Sequence, residues 1–261
     1  DSKETYLGLS NQDFNNDPYR RYAASQLDNM QADHQQYQLR HFADFNSFDV
    51  TTTLYRNDFS RNWYKLRDTV TDDTDKTGAD ALTLRANNRD YYYEGVQSVV
   101  GTEFKSGKLE HKLKFSARYH QDEEDRFQRD DTYELVDGVM NLTAYGPEGG
   151  AGNRALSAKA TSLFINDDIK FGKLTVSPGL RYEHIELKRV DRSNPSSNNT
   201  NIVDAYVPGI GSIYKVNDNL SSFASIHKGF APPTPSADDP KKEDSTNYEL
   251  GLRYNKGSFK S

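Results

Sequence analysis

Hydrophobic and polar residues alternate along many short stretches of this chain. In "KLTVSPGLRYEHIEL", Leu174, Val176, Pro178, Leu180 and Tyr182 fall on one face, and Thr175, Ser177, Gly179, Arg181 and Glu183 on the other. "KLKFSARYH" sets Leu113, Phe115, Ala117 and Tyr119 against Lys114, Ser116 and Arg118. "NYELGLRYN" sets Tyr248, Leu250, Leu252 and Tyr254 against Glu249, Gly251 and Arg253, and Val96 to Phe104 behaves alike. A period of two marks a half-buried β-strand. The pattern predicts about nine strands and the start of another, with "ETYLGLS" and "HQQYQLRH" among the first. No stretch keeps a helical period over several turns.

The connections alternate too. "ADFNS" near Asp44, "KSGK" (Lys105 to Lys108), "FGK" (Phe171 to Lys173), "VNDN" (Val216 to Asn219) and "NKGS" (Asn255 to Ser258) are tight turns, with Gly or Asn where a positive φ is needed. Between them lie long polar segments, roughly Lys65 to Asp90, Gln121 to Leu156, Lys188 to Asp204 and Ala231 to Asp244. An up-and-down meander puts every short turn at one end and every long loop at the other. With Tyr64, Tyr91, Tyr119, Tyr182 and Phe230 at strand ends, this is the pattern of a bacterial outer-membrane barrel: short periplasmic turns, long extracellular loops, an apolar outer face and a polar lumen. A soluble β-sandwich or β-helix is the alternative built from similar strands.

Composition fits the barrel. Only 34% of the 261 residues are hydrophobic, yet 12% are aromatic, with 17 Tyr and 13 Phe. Disordered chains lose both classes together; a polar lumen and long loops dilute only the aliphatics. No apolar run approaches the ~18 residues of a membrane helix. A net charge of −6 argues against nucleic acid as a partner. The absence of cysteine removes disulfides, thiolate metal sites and a cysteine nucleophile. The chain begins inside an alternating segment and stops after a turn, so it is expected to be a piece of a longer protein.

Several segments also resemble a known family. "ETYLGLSNQDFNNDPYRRYAASQLDNMQADHQQYQLRH", "LYRNDFSRNWYKL", "KFSARYHQDEEDRFQRDDTYELVDGVMNLT", "LTVSPGLRYEHIEL" and "SIHKGFAPPTPS" followed by "DSTNYELGLRY" are similar to the TonB-dependent outer-membrane receptors of the ferric dicitrate type. The resemblance covers nearly the whole chain. It implies an all-β, antiparallel, up-and-down transmembrane barrel segment: a single partial domain over residues 1–261, contributing about 9–10 strands to a plugged barrel of about 22. It further implies an outer-membrane location, a ferric chelate such as ferric citrate or a related siderophore as ligand, lipid and lipopolysaccharide around the wall, and coupling to the TonB complex through a plug that this segment lacks. No cofactor and no catalytic residue are implied.

Candidate ligand contacts follow from chemistry and this resemblance. In "PYRRYAASQ", Arg20 and Arg21 stand beside Tyr22 and Gln26 on the long-loop side, and guanidinium forks match carboxylates bidentately. The alternative for these arginines is lipopolysaccharide phosphate or loop carboxylates. "RYHQDEEDRFQRDD" lacks the spacing and glycine of a calcium loop. It reads as a solvated, internally paired charge run, in which Arg126 and Arg129 could still face an anionic ligand. "GPEGGAGNR" lacks the lysine of a phosphate loop and reads as a flexible tip. The six histidines have no zinc-ligand spacing, and no metal site is expected. The runner-up function is an outer-membrane barrel enzyme with an extracellular hydrolase site, in which His120 and Asp122 would form a base pair.

Overall fold

The computed structural model describes residues 1–3, 5–235, 241–256 and 259–260. One antiparallel sheet dominates it. The strands are β1 (Asn29–Asp44), β2 (Asp49–Leu66), β3 (Leu82–Ser106), β4 (Leu109–Val136), β5 (Val139–Ala144), β6 (Gly152–Phe171), β7 (Leu174–Asp191), β8 (Asn199–Lys215), β9 (Leu220–Ala231), β10 (Glu243–Lys256) and β11 (Phe259–Lys260). Each pairs with its neighbour in sequence, except that β5 and β6 both pair with β4, along successive lengths of it. This is the expected meander, an open wall of nine long strands with a short side hairpin and the start of another strand.

The tight turns fall where glycine and asparagine predict them. Ser106 pairs with Leu109 around Gly107, and Phe171 with Leu174 around Gly172. Gly107, Gly172 and Asn46 all sit at positive φ, which Gly adopts freely and Asn tolerates. The pairs Asp49–Gly101, Glu110–Lys170 and Leu174–Tyr214 bring these turns to one end of the sheet. The turn expected at Gly257 and Ser258 lies outside the described residues.

Two expectations need correction. The described residues of "ETYLGLS", Thr5 to Ser10, form no strand; among the described residues up to Asp28 only Ser2 makes a ladder contact, an isolated bridge to Met30. The segment folds as a cap instead. Ser10 Oγ accepts from Asp13 N and starts a short helix, α1 (Asn11–Asn16), while Thr5 Oγ1 and Tyr6 N donate to the Asp28 carboxylate. The long loops are also shorter than expected, because the strands run on. β4 has 28 residues, whereas a membrane span needs about 9–11. Beyond such a span lipid no longer enforces hydrophobic alternation, while pairing continues. Cross-strand ion pairs then mark the ladder, as where Arg85 donates from Nε and NH2 to Asp130 at 2.6 and 2.7 Å. Asp137 and Gly138, both at positive φ, turn β4 into β5 within a stretch expected to be loop.

The two faces differ as alternation requires. One carries an apolar belt: Leu54 lies opposite Val96 and Val96 opposite Tyr119, and Phe115, Ile165, Leu180 and Pro208 form a second row. These side chains are largely bare of protein, with Leu39 65% and Leu250 85% exposed. The other face holds Tyr55, Arg118, His120, Arg181 and Glu183, together with Glu249, which accepts from Ser225, and Arg253, stacked over Phe223. Leu174, Leu180, Leu250 and Leu252 lie on the belt, and Arg181, Glu249 and Arg253 opposite it, as the sequence pattern predicts.

The facing yields a direct test. Leu180→Arg, on the belt, should cost ~2–4 kcal/mol at the bilayer midplane, whereas Ser177→Arg, on the polar face of the same strand, should be tolerated. Heat-modifiable gel mobility of the membrane-inserted protein reports folding; equal loss in both variants would refute the facing.

Candidate functional site

The register sets four arginines side by side. Arg61 on β2 lies opposite Arg89 on β3, Arg89 opposite Arg126 on β4, and Arg126 opposite Arg154 on β6. All share the parity of the polar face. Neighbouring strands are about 4.8 Å apart, so the row spans roughly 15 Å. Like charges directly opposite one another destabilise a sheet. Such a row therefore costs stability unless something answers it.

Little among the described residues does. Arg126 Nε donates to Glu124 Oε1, and Arg89 NH1 lies 3.6 Å from the other oxygen of that carboxylate. Arg89 NH1 also donates to the Tyr91 hydroxyl at 3.4 Å. The Arg61 guanidinium sits 5.8 Å from the Trp63 and Tyr91 rings, a cation–π arrangement. The Nε atoms of Arg61, Arg89 and Arg154 are buried without a partner. Burial, then the Arg89 and Arg154 charges, push the Arg126 guanidinium down to about 10, which leaves it charged at neutral pH. At its far end the row meets Asp191, which Arg189 already holds at 2.8 Å.

Below the row the polar face is aromatic. Phe59 packs on Tyr91 with centroids 5.7 Å apart. Tyr55 on β2 crosses β3 at Gly95 to reach β4, where a Cβ at Gly95 would collide with its ring. The Tyr55 hydroxyl accepts from Arg118 Nε at 2.9 Å, which leaves its proton for His120 Nδ1, also at 2.9 Å. His120 Nε2 then carries hydrogen toward Asp122, 3.3 Å away. The His120–Asp122 pair is thus built into a wall network.

The other expected contacts lie in the cap, on the long-loop side as anticipated, but their polar groups have partners. Arg20 pairs with Asp13 and Asp73, each at 2.6 Å. Arg21 donates to Ser25 Oγ, Ser25 O and Lys3 O. Tyr22 is 2% exposed and donates to Asp13 at 2.6 Å, so it is closed to a ligand. Gln26 donates to Ala23 O and Gly138 O. These residues join the cap to the β2–β3 loop and the β4–β5 hairpin around a core of Ala24, Leu66, Val70, Leu82, Leu135 and Met140. Arg129 is three residues from Arg126 and so takes the opposite face, where Asp131 pairs with it at 2.9 Å and Tyr145 stacks on it. Of the residues in the row the sequence singled out Arg126 alone, and it gave no local signal for Arg61, Arg89 and Arg154. Among the described residues no three of His, Asp and Glu converge on a point that could hold a metal ion.

The family described as TonB dependent receptor-like, beta-barrel, matches residues 1–260. No curated protein matches the chain. Among solved structures, the ferric citrate transporter FecA in its unliganded form is 18% identical with a TM-score of 0.77, over 97% of this chain and 36% of that one. BauA, the ferric preacinetobactin receptor from Acinetobacter baumannii, is 16% identical with a TM-score of 0.69, over 88% and 37%. The siderophore receptor PiuA from Acinetobacter baumannii is 15% identical with a TM-score of 0.64, over 87% and 38%. The chain spans little more than a third of the length of each, and at these identities the likeness shows the fold.

The cap has one anchor that can be tested. Asp28 is 1% exposed and accepts from Leu66 N at 2.8 Å as well as from Thr5 and Tyr6. Asp28→Ala strands these donors at a cost of ~1–3 kcal/mol. Amide exchange at Leu66 and through residues 5–28 should accelerate while β6–β8 stay protected; unchanged exchange would place the anchor elsewhere.

Proposed function

The chain belongs to the TonB dependent receptor-like β-barrel family, and from that premise we propose that it is part of the wall of a bacterial outer-membrane receptor that takes up an anionic ferric chelate, with ferric citrate as the best-suited ligand. The observation that carries this reading is the in-register row of Arg61, Arg89, Arg126 and Arg154, which shares one contacting carboxylate, Glu124, among the described residues. Guanidinium groups bind carboxylates through two parallel hydrogen bonds, and a ferric hydroxycarboxylate presents several carboxylates at once. The similar structures are named for different ferric chelates, so the choice of citrate rests on the arginines.

In this reading the apolar belt faces lipid, the long-loop end faces lipopolysaccharide and the medium, and the polar face lines the lumen. Coupling to TonB is assigned to parts of the receptor outside this chain. Arg20, Arg21, Tyr22 and Gln26 hold the cap in place at the mouth, and Arg126 with its row neighbours meets the ligand. Arg129, on the other face, braces Asp131. The enzyme alternative gains no support, since His120 is held between Asp122 and the Tyr55 hydroxyl, which also accepts from Arg118.

The test uses the full-length receptor and ferric citrate binding on outer membranes at fixed salt. A charge-assisted hydrogen bond contributes ~1.5–3 kcal/mol, so Arg126→Ala and Arg154→Ala should each weaken binding by about ten- to a hundredfold. Arg21→Ala and Arg129→Ala should change it far less. Barrel yield is checked in parallel. Unchanged affinity in a well-folded Arg126→Ala/Arg154→Ala receptor would remove the row from the site.

A further inference from the structure

We propose that Glu124 is the resident counter-anion of the arginine row and limits its affinity in proportion to ligand charge: an incoming carboxylate must take Arg126 and Arg89 from it. This rests on the reading of the row as an anion site. Glu124 lies on the polar face one side-chain step from Arg126, between Tyr91 on β3 and Leu156 on β6. One carboxylate oxygen accepts from Arg126 and the other faces Arg89. Its side chain is 19% exposed, so the charge sits in the wall rather than in bulk water. Among the described residues no other carboxylate touches the row. Asp122, one step further along the same face, is turned to His120, and Asp191 is held by Arg189.

Two consequences follow from Coulomb's law. Without ligand, Glu124 offsets part of the repulsion between Arg89 and Arg126 and keeps both in place. With ligand, the same charge repels the bound anion, and the repulsion grows with each negative charge the ligand carries. A neutral chelate pays nothing. Glu124 thus keeps the row assembled when empty and keeps a highly charged ligand from binding irreversibly, which a site that must release its cargo requires.

The experiment compares wild type, Glu124→Gln and Arg126→Ala in the full-length receptor. The probes are ferric citrate and a neutral ferric trihydroxamate, at low and at high salt. Glutamine keeps the size and an acceptor oxygen, and heat-modifiable mobility verifies folding. Glu124→Gln should bind ferric citrate about tenfold more tightly, with the gain shrinking as salt screens the site, and should leave the neutral chelate unchanged. Weaker or unaltered ferric citrate binding would overturn the proposal and make Glu124 a positioning residue for Arg126. An equal gain for the neutral chelate would overturn it as well, since the cause would be shape. Arg126→Ala separates the two levels: if it leaves ferric citrate affinity intact, the anion site itself is wrong; if it weakens binding while Glu124→Gln fails to strengthen it, only the role of Glu124 falls.

Discussion

Backbone pairing of each long strand with its neighbours, from β1 to β10, is the constraint on which everything else in this wall depends. In hydrocarbon an unpaired N–H or C=O costs several kcal/mol, so a spanning strand must have a partner along its whole membrane length. That requirement leaves little freedom of register, and a slip of one residue would move every side chain to the wrong face. The same pairing that sends Leu54, Val96 and Tyr119 to one side therefore sends Tyr55, Gly95 and His120 to the other. The arginine row is a consequence of register: four residues distant in sequence become neighbours because the ladders continue above the membrane.

The energetics of the two ends differ accordingly. At the turn end, stability comes from short closures and cross-strand charge alternation, as where Glu110 meets Lys105 and Lys170. At the long-loop end, the cap buries an apolar core and holds it with Asp28 and the Asp13–Tyr22–Arg20–Asp73 network. The arginine row lies near that end and gives stability away. Proteins keep such conflicts at functional sites and repay them elsewhere. The cap core and the long ladders of β3 and β4 are where repayment is visible.

Much of this was legible in the sequence, for physical reasons that also mark the limits. Alternation beside lipid is enforced by solvation, so the belt on β7 and β10 could be read directly. Tight turns need residues that accept positive φ, so Gly107 and Gly172 announced themselves. The turn at Gly107 even fixes that Arg89 faces Arg126, because counting equal steps back from Ser106 and forward from Leu109 reaches them. Arg61 and Arg154 join the row across longer connections, whose geometry no local signal sets. The cap was misread because "ETYLGLS" alternates over too few residues to outweigh local hydrogen bonds to Asp28. Arg129 was grouped with Arg126 by proximity in sequence, although a separation of three in a strand places them on opposite faces.

The surroundings of the row sharpen its electrostatics. Two side-chain steps from Arg154 on β6 lies Ala158, and the same distance from Asp191 on β7 lies Leu187. Leu187 forms a buried apolar cluster with Ile185 and Val203, and Ala158, Ala160 and Phe230 pack against it. The row is thus bounded by aromatic rings along β2 and β3 and by aliphatic groups along β7 and β8. Low-polarity walls screen charge less than water does, so each guanidinium is felt more strongly by its neighbours and by any anion that enters. That is why the depression of the Arg126 guanidinium and the buried, partnerless Nε atoms describe one condition: cations held together by register, in surroundings that leave their field largely unscreened.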